Sequence, residues 1–341
     1  MGLFSLFTKE VAIDLGTANV VILQNDSVVV DEPSIIAVDT ISRQLVAVGK
    51  AALMMEGRTP PGITTIRPLK DGVIADFQAA EMMLKEFIKM TGTKGYLFPP
   101  SLKMVVCIPS GITEVEERAV RDSSEQAGAK EVRMIFEPMA AAIGAGLDVM
   151  SPDGNMVVDI GGGTTEIAVI SLGGIVSNNS IKVAGDDLTA DIQEYMSRQH
   201  NVRVSERMAE RIKIAVGSAL TDLGDDAPED YVVHGPNRIT ALPMEVPVCY
   251  QEIAHCLDKT VARVETAVLS ALENTPPELY ADIVKNGIYL TGGGALLRGL
   301  ARRLSDKINI QFHIAEDPLH CVAKGAGIAL NNVDRFSFLM R

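Results

Sequence analysis

Two short stretches of this 341-residue chain repeat one pattern, and they constrain its fold more than any other feature. Residues 13–19 read IDLGTAN and residues 158–166 read VDIGGGTTE. In each stretch an aspartate, Asp14 or Asp159, ends an apolar run and is followed by glycine and hydroxyl residues. A carboxylate at a strand end can hold a metal ion, and glycine lets backbone N–H groups approach an anion. Two such turns, each at the head of a half-chain, predict a nucleotide held between two related domains.

The composition is that of an ordinary globular protein with room for two domains. Hydrophobic residues make up 47% of the chain and charged residues 22%, which is typical of folded soluble proteins. The formal net charge of −13 argues against nucleic acid as a partner, because that needs a basic face. A phosphate ligand would therefore be held locally, by N–H groups and a cation. The four cysteines form no CxxC pair, so neither a disulfide framework nor a zinc knuckle is indicated.

Each half of the chain reads as a three-strand meander followed by alternating helices and strands. The predicted meander strands cover residues 11–14, 20–23 and 28–30 in the first half, and 156–160, 166–171 and 175–183 in the second. A small strand region is predicted over residues 231–242, and a helix over residues 295–308. This repetition predicts a duplicated α/β fold with a cleft between its halves.

Several residues at these turns are candidates for phosphate chemistry. Asp14 and Asp159 could flank a nucleotide-bound Mg²⁺, mainly through water, although an aspartate at a strand end can also simply cap a turn. Glu137 ends an apolar strand before Pro138, where it could offset a helix dipole or orient an attacking water. Thr164 follows three glycines, where its hydroxyl could hold that water or a phosphate oxygen.

Three further segments are less specific in what they indicate. The glycine turn at residues 292–294 joins a strand to a helix, an arrangement that favours anionic groups. Glu210 and Lys213 lie one helical turn apart, which by spacing alone indicates a solvated charged face. Leu97 and Phe98 stand in a loop rich in glycine and proline, where they would either pack locally or dip into a membrane.

Taken together, these stretches resemble the MreB family, the bacterial actin-like proteins of rod-shape determination. The matching stretches are residues 13–19, 67–77, 137–147, 159–166, 210–213, 290–297 and 316–319. The two Asp-Gly turns alone indicate only the wider superfamily of actin, sugar kinases and DnaK-type chaperones. Residues 67–77 and 137–147 narrow the resemblance from this superfamily to the MreB family. The resemblance covers essentially the whole chain. Residues 184–242 depart most from the family pattern.

The resemblance implies an α/β protein with a duplicated actin-like (ribonuclease H-like) fold that binds ATP and Mg²⁺ in an interdomain cleft. Domain I would comprise residues 1–146 plus 316–341, with a small insert at about 33–66. Domain II would comprise residues 147–315, with a small insert at about 184–244.

The resemblance also implies a role for each candidate residue. It assigns Glu137 and Thr164 to the hydrolytic water, and Asp14 and Asp159 to Mg²⁺, through water. Phosphate contacts would come from Thr17, Ala18, Asn19, Gly161, Gly162 and Gly163. The adenosine would be bordered by Glu210, Arg211, Ile212, Lys213, Gly292, Gly293, Gly294 and Ala295, which reverses the interpretation of the charged helix face as merely solvated.

The implied activity is that of a cytoskeletal filament with weak, polymerisation-coupled ATP hydrolysis. The partners would be other copies of the chain in filaments with paired protofilaments, inner-membrane lipid, and membrane proteins of cell shape and wall synthesis. The protein would be cytoplasmic and peripheral on the inner face of the membrane. Membrane contact would involve Leu3, Phe4, Phe7, Leu97 and Phe98.

Two alternatives come from the same superfamily. A small-molecule kinase would need an acceptor pocket with a catalytic base, and no such base is evident in the sequence. A chaperone-type ATPase would need a substrate-binding domain downstream, whereas this chain ends at Arg341.

Overall fold

The computed structural model describes residues 8–92 and 101–336. Its strands are β1 (Thr8–Leu15), β2 (Asn19–Gln24), β3 (Ser27–Pro33), β4 (Ile36–Asp39), β5 (Leu45–Val48), β6 (Ile63–Ile66), β7 (Leu69–Lys70), β8 (Val73–Ile74), β9 (Ser101–Ile108), β10 (Ala129–Phe136), β11 (Asn155–Ile160), β12 (Thr165–Ser171), β13 (Gly174–Ile181), β14 (Tyr231–Pro236), β15 (Pro243–Val248), β16 (Ile288–Thr291) and β17 (Phe312–Ile314). Its helices are α1 (Gly49–Met55), α2 (Phe77–Met90), α3 (Glu114–Gln126), α4 (Glu137–Gly144), α5 (Gly185–Gln199), α6 (Glu206–Val216), α7 (Tyr250–Glu273), α8 (Pro277–Asn286), α9 (Leu300–Ile308) and α10 (Cys321–Asn331).

Two five-stranded sheets repeat one topology. The first has the order β3-β2-β1-β9-β10 and the second the order β13-β12-β11-β16-β17. In each, the first three strands form an antiparallel meander and the last two continue in parallel. The predicted duplicated α/β fold is confirmed.

Three smaller sheets accompany the two large ones in the described residues. Strands β5, β4 and β6 form a three-stranded sheet that is packed against helix α1. Strands β14 and β15 pair as an antiparallel hairpin, and β7 and β8 form a short two-stranded ladder. The domain and insert boundaries themselves remain predictions.

Helices α4 and α10 lie between the two large sheets. They share one buried cluster with residues of both sheets, among them Val21 and Val105 of the first and Val157 and Ala168 of the second. Burial of this apolar layer fixes how the two halves pack. Each half also has a core of its own on the outer face of its sheet.

The structure differs from the sequence prediction in three places. The helix predicted over residues 295–308 begins only at Leu300, because Gly299 takes a left-handed conformation with φ of 73°. The strand region predicted over residues 231–242 is a hairpin whose second strand starts at Pro243. Helices α1 and α8 were not predicted. None of the helices in the described ranges is long and apolar enough to cross a membrane.

Candidate functional site

A cavity of about 640 Å³ lies between the two large sheets. Its wall combines predicted site residues from both halves of the chain. These are Asp14, Thr17, Ala18, Asn19, Glu137, Asp159, Gly161, Gly162, Gly163, Thr164, Glu210, Lys213, Gly292, Gly293 and Gly294. The fold therefore brings the two repeated turns to one place, as their pattern predicts.

The first turn follows β1 and is held by backbone and hydroxyl contacts. The Ser34 hydroxyl donates to the carbonyl of Gly16 at 2.6 Å, and the Ser34 N–H donates to the carbonyl of Ala18 at 2.9 Å. With its carbonyls so occupied, the turn is fixed before any ligand arrives. Such preorganisation suits a loop that binds anions through its N–H groups.

The second turn follows β11 and touches the first across the cavity. A Cβ placed on Gly162 would lie 2.8 Å from the Cβ of Ala18, and one on Gly163 would lie 2.8 Å from the Thr17 hydroxyl. Those separations are shorter than carbon atoms tolerate, so glycine is required at both positions. The two turns therefore lie in direct contact at the cavity wall.

A two-residue hairpin turn, Asp71–Gly72, bridges the two loops and was missed by the sequence analysis. Both residues have positive φ, 52° and 78°, as in the tightest hairpins. The Gly72 N–H donates to the Thr17 hydroxyl at 2.9 Å. A Cβ on Gly72 would lie 3.0 Å from the Thr164 side chain. The Asp-Gly pair between two short apolar runs was the available signal.

Three carboxylates meet at the inner end of the cavity. Glu137 opens helix α4 and is 8% exposed, and Asp159 is the penultimate residue of β11 and is 6% exposed. Asp14 is the penultimate residue of β1 and faces the same cavity. The Thr291 hydroxyl donates to Asp159 at 2.7 Å. No cationic partner of these three carboxylates is found within the described ranges, so like charges are held together in a site of low polarity.

The environment raises the pKa of all three groups. Burial, with the nearby charge of Asp159, raises the pKa of Asp14 to about 7. Burial raises the pKa of Asp159 to about 6, although the Thr291 hydroxyl lowers it. Burial, followed by the charges of Asp14, Glu166 and Asp159, raises the pKa of Glu137 well above its usual range. A carboxylate with a raised pKa is a better general base than an ordinary glutamate.

The donor set fits a Mg²⁺ ion that is carried by a phosphate ligand. Asp14 and Asp159 supply the oxygen ligands that this ion prefers, and its charge would offset the repulsion between them. Across residues 8–92 and 101–336, no three His, Cys, Asp or Glu side chains form a cage for a metal. Two carboxylates with water and phosphate oxygens are the usual arrangement for Mg²⁺.

Glu166 fastens the first half of the chain to the second beside these carboxylates. Its side chain is fully buried and accepts from the N–H of Ser110 at 3.1 Å and from the Ser110 hydroxyl. It also accepts from the Ser180 hydroxyl at 2.5 Å. Ser110 follows β9 of the first sheet, and Ser180 belongs to β13 of the second. Glu166 is therefore a structural link between the two halves, a role that its place in the repeated sequence pattern does not reveal.

On the opposite wall, Lys213 connects helix α6 to the second glycine turn. Its ammonium lies 2.7 Å from the carboxylate of Glu210 and donates to the carbonyl of Gly185 at 2.8 Å. The Gly185 N–H in turn donates to the carbonyl of Gly161 at 3.1 Å. This side also carries exposed apolar side chains, Ile214 and Leu296, which suit the faces of a flat ring system.

Three of the predicted adenosine-bordering residues are not in the cavity wall. Ile212 and Ala295 are fully buried in the core of the second half, and Arg211 lies on the exposed face of α6. Because Glu210 and Lys213 are three residues apart on a helix, the residues between them necessarily point elsewhere. The predicted membrane residues Leu3, Phe4, Phe7, Leu97 and Phe98 lie outside the described residues.

A second polar network behind the first turn was also not predicted. The Asn19 amide donates to Asp31 at 3.3 Å, and His320 has one ring nitrogen 3.7 Å from Asp31 and the other 3.0 Å from Asp317. Asn19, Asp31 and His320 all line the cavity. Contacts between residues so distant in sequence leave no local pattern from which they could be found.

A family model described as MreB/Mbl protein matches residues 8–337. The chain belongs to the MreB/Mbl family. It is 45% identical over 331 residues to the cell shape-determining protein Mbl of Bacillus subtilis, covering 97% of this chain and 98% of the relative. It is 46% identical over 334 residues to the cell shape-determining protein MreB of Escherichia coli, covering 96% of this chain and 95% of the relative.

Solved structures confirm the predicted actin-like fold. The crystal structure of MreB5 of Spiroplasma citri bound to AMPPNP superposes with a TM-score of 0.90 at 35% identity, over 96% of this chain and 97% of the other. The ADP-bound form gives a TM-score of 0.90 at 36% identity, over 96% and 98%. A double helical filament of MamK has a TM-score of 0.79 at 19% identity, over 96% and 99%, and shares the fold.

Proposed function

We propose that this MreB/Mbl family member binds Mg²⁺-ATP in the cavity between its two sheets and assembles into filaments that hydrolyse the nucleotide slowly. The filaments would lie on the inner face of the cytoplasmic membrane and organise the wall-synthesis proteins that maintain rod shape. One observation carries the proposal: two glycine turns and three carboxylates from both halves converge on a single cavity. The AMPPNP and ADP in structures of an MreB at 35–36% identity support a nucleotide there.

The geometry suggests a division of labour during hydrolysis. The N–H groups of residues 17–19 and of Gly162 and Gly163 would bind phosphate oxygens, with Mg²⁺ near Asp14 and Asp159 supplying charge neutralisation. The Gly161 N–H donates to the carbonyl of Thr164 at 2.9 Å and so shapes the turn. The Glu137 carboxylate would orient the attacking water and accept its proton. The Thr164 hydroxyl would hold that water in line with the bond that breaks. Phosphoryl transfer chiefly needs such positioning.

The strand register supports one common site for membrane contact. Thr8 of β1 is paired with Ser101 of the adjacent parallel strand β9, so the chain enters both strands at the same edge of the sheet. The segments that precede them contain the predicted membrane residues Leu3, Phe4, Phe7, Leu97 and Phe98. Two segments that lead into neighbouring strands at the same end of the sheet can act on one patch of membrane.

Sedimentation with electron microscopy tests the proposal. Purified protein incubated with Mg²⁺-ATP should pellet above a threshold concentration and form filaments on liposomes, whereas protein without nucleotide should stay in the supernatant. Monomers that persist across ATP and protein concentrations would contradict the filament role. ATP consumption that rises only when a hexose or acetate is added would favour the small-molecule kinase.

A further inference from the structure

Arg67 joins two acidic side chains that come from opposite sides of the cavity. It directly follows β6, and its Nη2 atom lies 3.4 Å from an Oε atom of Glu56 and 3.6 Å from an Oε atom of Glu206. We refer to Glu56, Arg67 and Glu206 as the cross-cleft bridge. Family resemblance singled out residues 67–77 in the sequence without giving Arg67 a role.

The two carboxylates belong to different parts of the molecule. Glu56 ends helix α1, which packs on the small sheet β5-β4-β6. Glu206 begins helix α6, whose Lys213 is connected to the second glycine turn through Gly185. Arg67 and Glu206 both line the cavity. The bridge therefore spans the cavity, and one of its two ion pairs crosses from the small sheet to α6.

The bridge lies at the outer rim and is only partly buried. The side chains of Arg67, Glu56 and Glu206 are 35%, 23% and 55% exposed, in contrast to the nearly buried Glu137 and Asp159 at the inner end. The Nε atom of Arg67 is shielded from solvent and has no hydrogen-bond partner in the described part of the chain. A guanidinium left partly unsatisfied gains hydration when the contact opens. Such a contact can break and re-form.

We propose that the cross-cleft bridge restrains the opening of the cavity and so slows nucleotide release; this inference rests on the proposed function. A ligand held between the glycine turns passes the rim when it leaves, and the Arg67–Glu206 pair must separate for the small sheet and α6 to move apart. Exposed ion pairs contribute little each, so the expected effect is on a rate and is moderate.

Two matched variants separate this role from a general loss of charge. Glu206→Gln removes the ion pair that crosses the cavity, whereas Glu56→Gln removes the pair within the small-sheet side. Release of a fluorescent ADP analogue, chased with excess ATP in a stopped-flow instrument, should be about three- to fivefold faster for Glu206→Gln. Glu56→Gln should leave the rate within about twofold, because Arg67 can still reach Glu206. Added salt should accelerate release from the unmodified protein more than from Glu206→Gln.

Arg67 itself is tested against a neighbour on the same side. Arg67→Met should accelerate release as Glu206→Gln does, whereas Arg58→Met, at an exposed arginine, should not. The reversed pair Arg67→Glu with Glu206→Arg should bring the rate back toward that of the unmodified protein. Circular dichroism would identify any variant that fails to fold. The Glu206→Gln result does not depend on whether the Arg67 variants fold.

The outcomes distinguish the two proposals. If the unmodified protein binds the analogue but Glu206→Gln releases it at the same rate, or Glu56→Gln has the larger effect, the bridge has no such role and the nucleotide site stands. If the unmodified protein binds neither ATP nor ADP, the proposed function fails, and the inference fails with it.

Discussion

At the scale of single residues, the dominant feature is the set of carboxylates at the inner end of the cavity. Asp14, Asp159 and Glu137 each have a raised pKa, because burial and mutual repulsion disfavour their charged forms. In the absence of a cation this arrangement opposes folding. Residues that bind a ligand often lower the stability of the ligand-free protein, and this loss of stability can be measured.

Replacing Asp14 with Asn should stabilise the nucleotide-free protein and abolish binding of Mg²⁺-ATP. In the folded chain Asp14 has a pKa of about 7, against 3.8 for the free group. Between these values the folded state holds more protons than the unfolded state, so the free energy of unfolding falls as pH rises from about 4 to about 7. Asn at this position removes that loss. We expect a gain of up to about 4 kcal/mol at pH 8, measured by urea unfolding without nucleotide.

The pH profile provides the control for this prediction. The advantage of Asp14→Asn should be almost gone near pH 4, where the carboxyl of the unmodified protein is protonated in the folded state and about half protonated in the unfolded state. An equal advantage at pH 4 and pH 8 would mean that packing, and not the charge, is responsible. Isothermal titration with Mg²⁺-ATP gives the binding side of the comparison.

Glu137→Ala should separate binding from hydrolysis. Since Glu137 is proposed to accept a proton from the attacking water, phosphate release should fall about a hundredfold or more while ATP still binds. Glu114→Ala, at an exposed glutamate that opens α3, should change neither quantity. Unchanged turnover in Glu137→Ala would exclude this carboxylate from the mechanism.

At the scale of elements, helices α4 and α10 are in backbone contact where they cross. A Cβ placed on Gly144 would lie 1.9 Å from the carbonyl oxygen of Cys321, and one on Gly325 would lie 1.8 Å from that of Ala140. No side chain fits at either position, so the crossing depends on two glycines. Both helices lie in the buried layer between the two sheets.

Gly325→Ala should destabilise the protein by about 3 kcal/mol or more, because the helices must move apart to admit one methyl group. The matched control is Gly327→Ala, two residues along the same helix, where an added Cβ would meet only the Leu23 side chain at 3.4 Å. That change should be neutral, or stabilising by up to about 1 kcal/mol through helix propensity. Similar unfolding midpoints for the two variants would contradict the close crossing.

A feature of the fold or of the site could be predicted from the sequence where the residues that determine it are neighbours in the chain. The start of helix α3 is marked locally, since Thr113 and Glu116 form a capping box there. The helix predicted from residue 295 starts late because a glycine five residues in is left-handed. The Asp-Gly turns were found because their residue types are restrictive. Arg67 and Glu166 were not given their roles, because their partners are distant in sequence.

At the scale of the whole molecule, the repeated topology explains why one cavity serves two half-chains. The matching strands β1 and β11 each end in an aspartate and a glycine turn, and α4 and α10 between the sheets bring those ends together. Neither half has a complete site by itself. Nucleotide binding and the relative position of the halves are therefore coupled.

Replacing both Leu97 and Phe98 with Glu should uncouple filaments from lipid. Inserting two such side chains contributes on the order of 3 to 6 kcal/mol, which corresponds to roughly millimolar binding for a monomer. A filament multiplies this weak contact by avidity. We expect the double variant to assemble with ATP and to lose flotation with liposomes. Val115→Glu, which replaces a valine that is 79% exposed on α3, should float normally.

The close crossing of α4 and α10 at Gly144 and Gly325 is a point about which the two halves of the molecule can rotate. Glu137 starts α4 and Val322 of α10 lines the cavity, so this crossing lies next to the inner carboxylates. Glu56 and Glu206 lie at the opposite, outer rim. A rotation that is small enough to leave the crossing intact produces a displacement that grows with distance from the crossing. If a nucleotide binds as proposed, the loss of one phosphate group beside this crossing would therefore move the outer rim of the cavity more than its inner end.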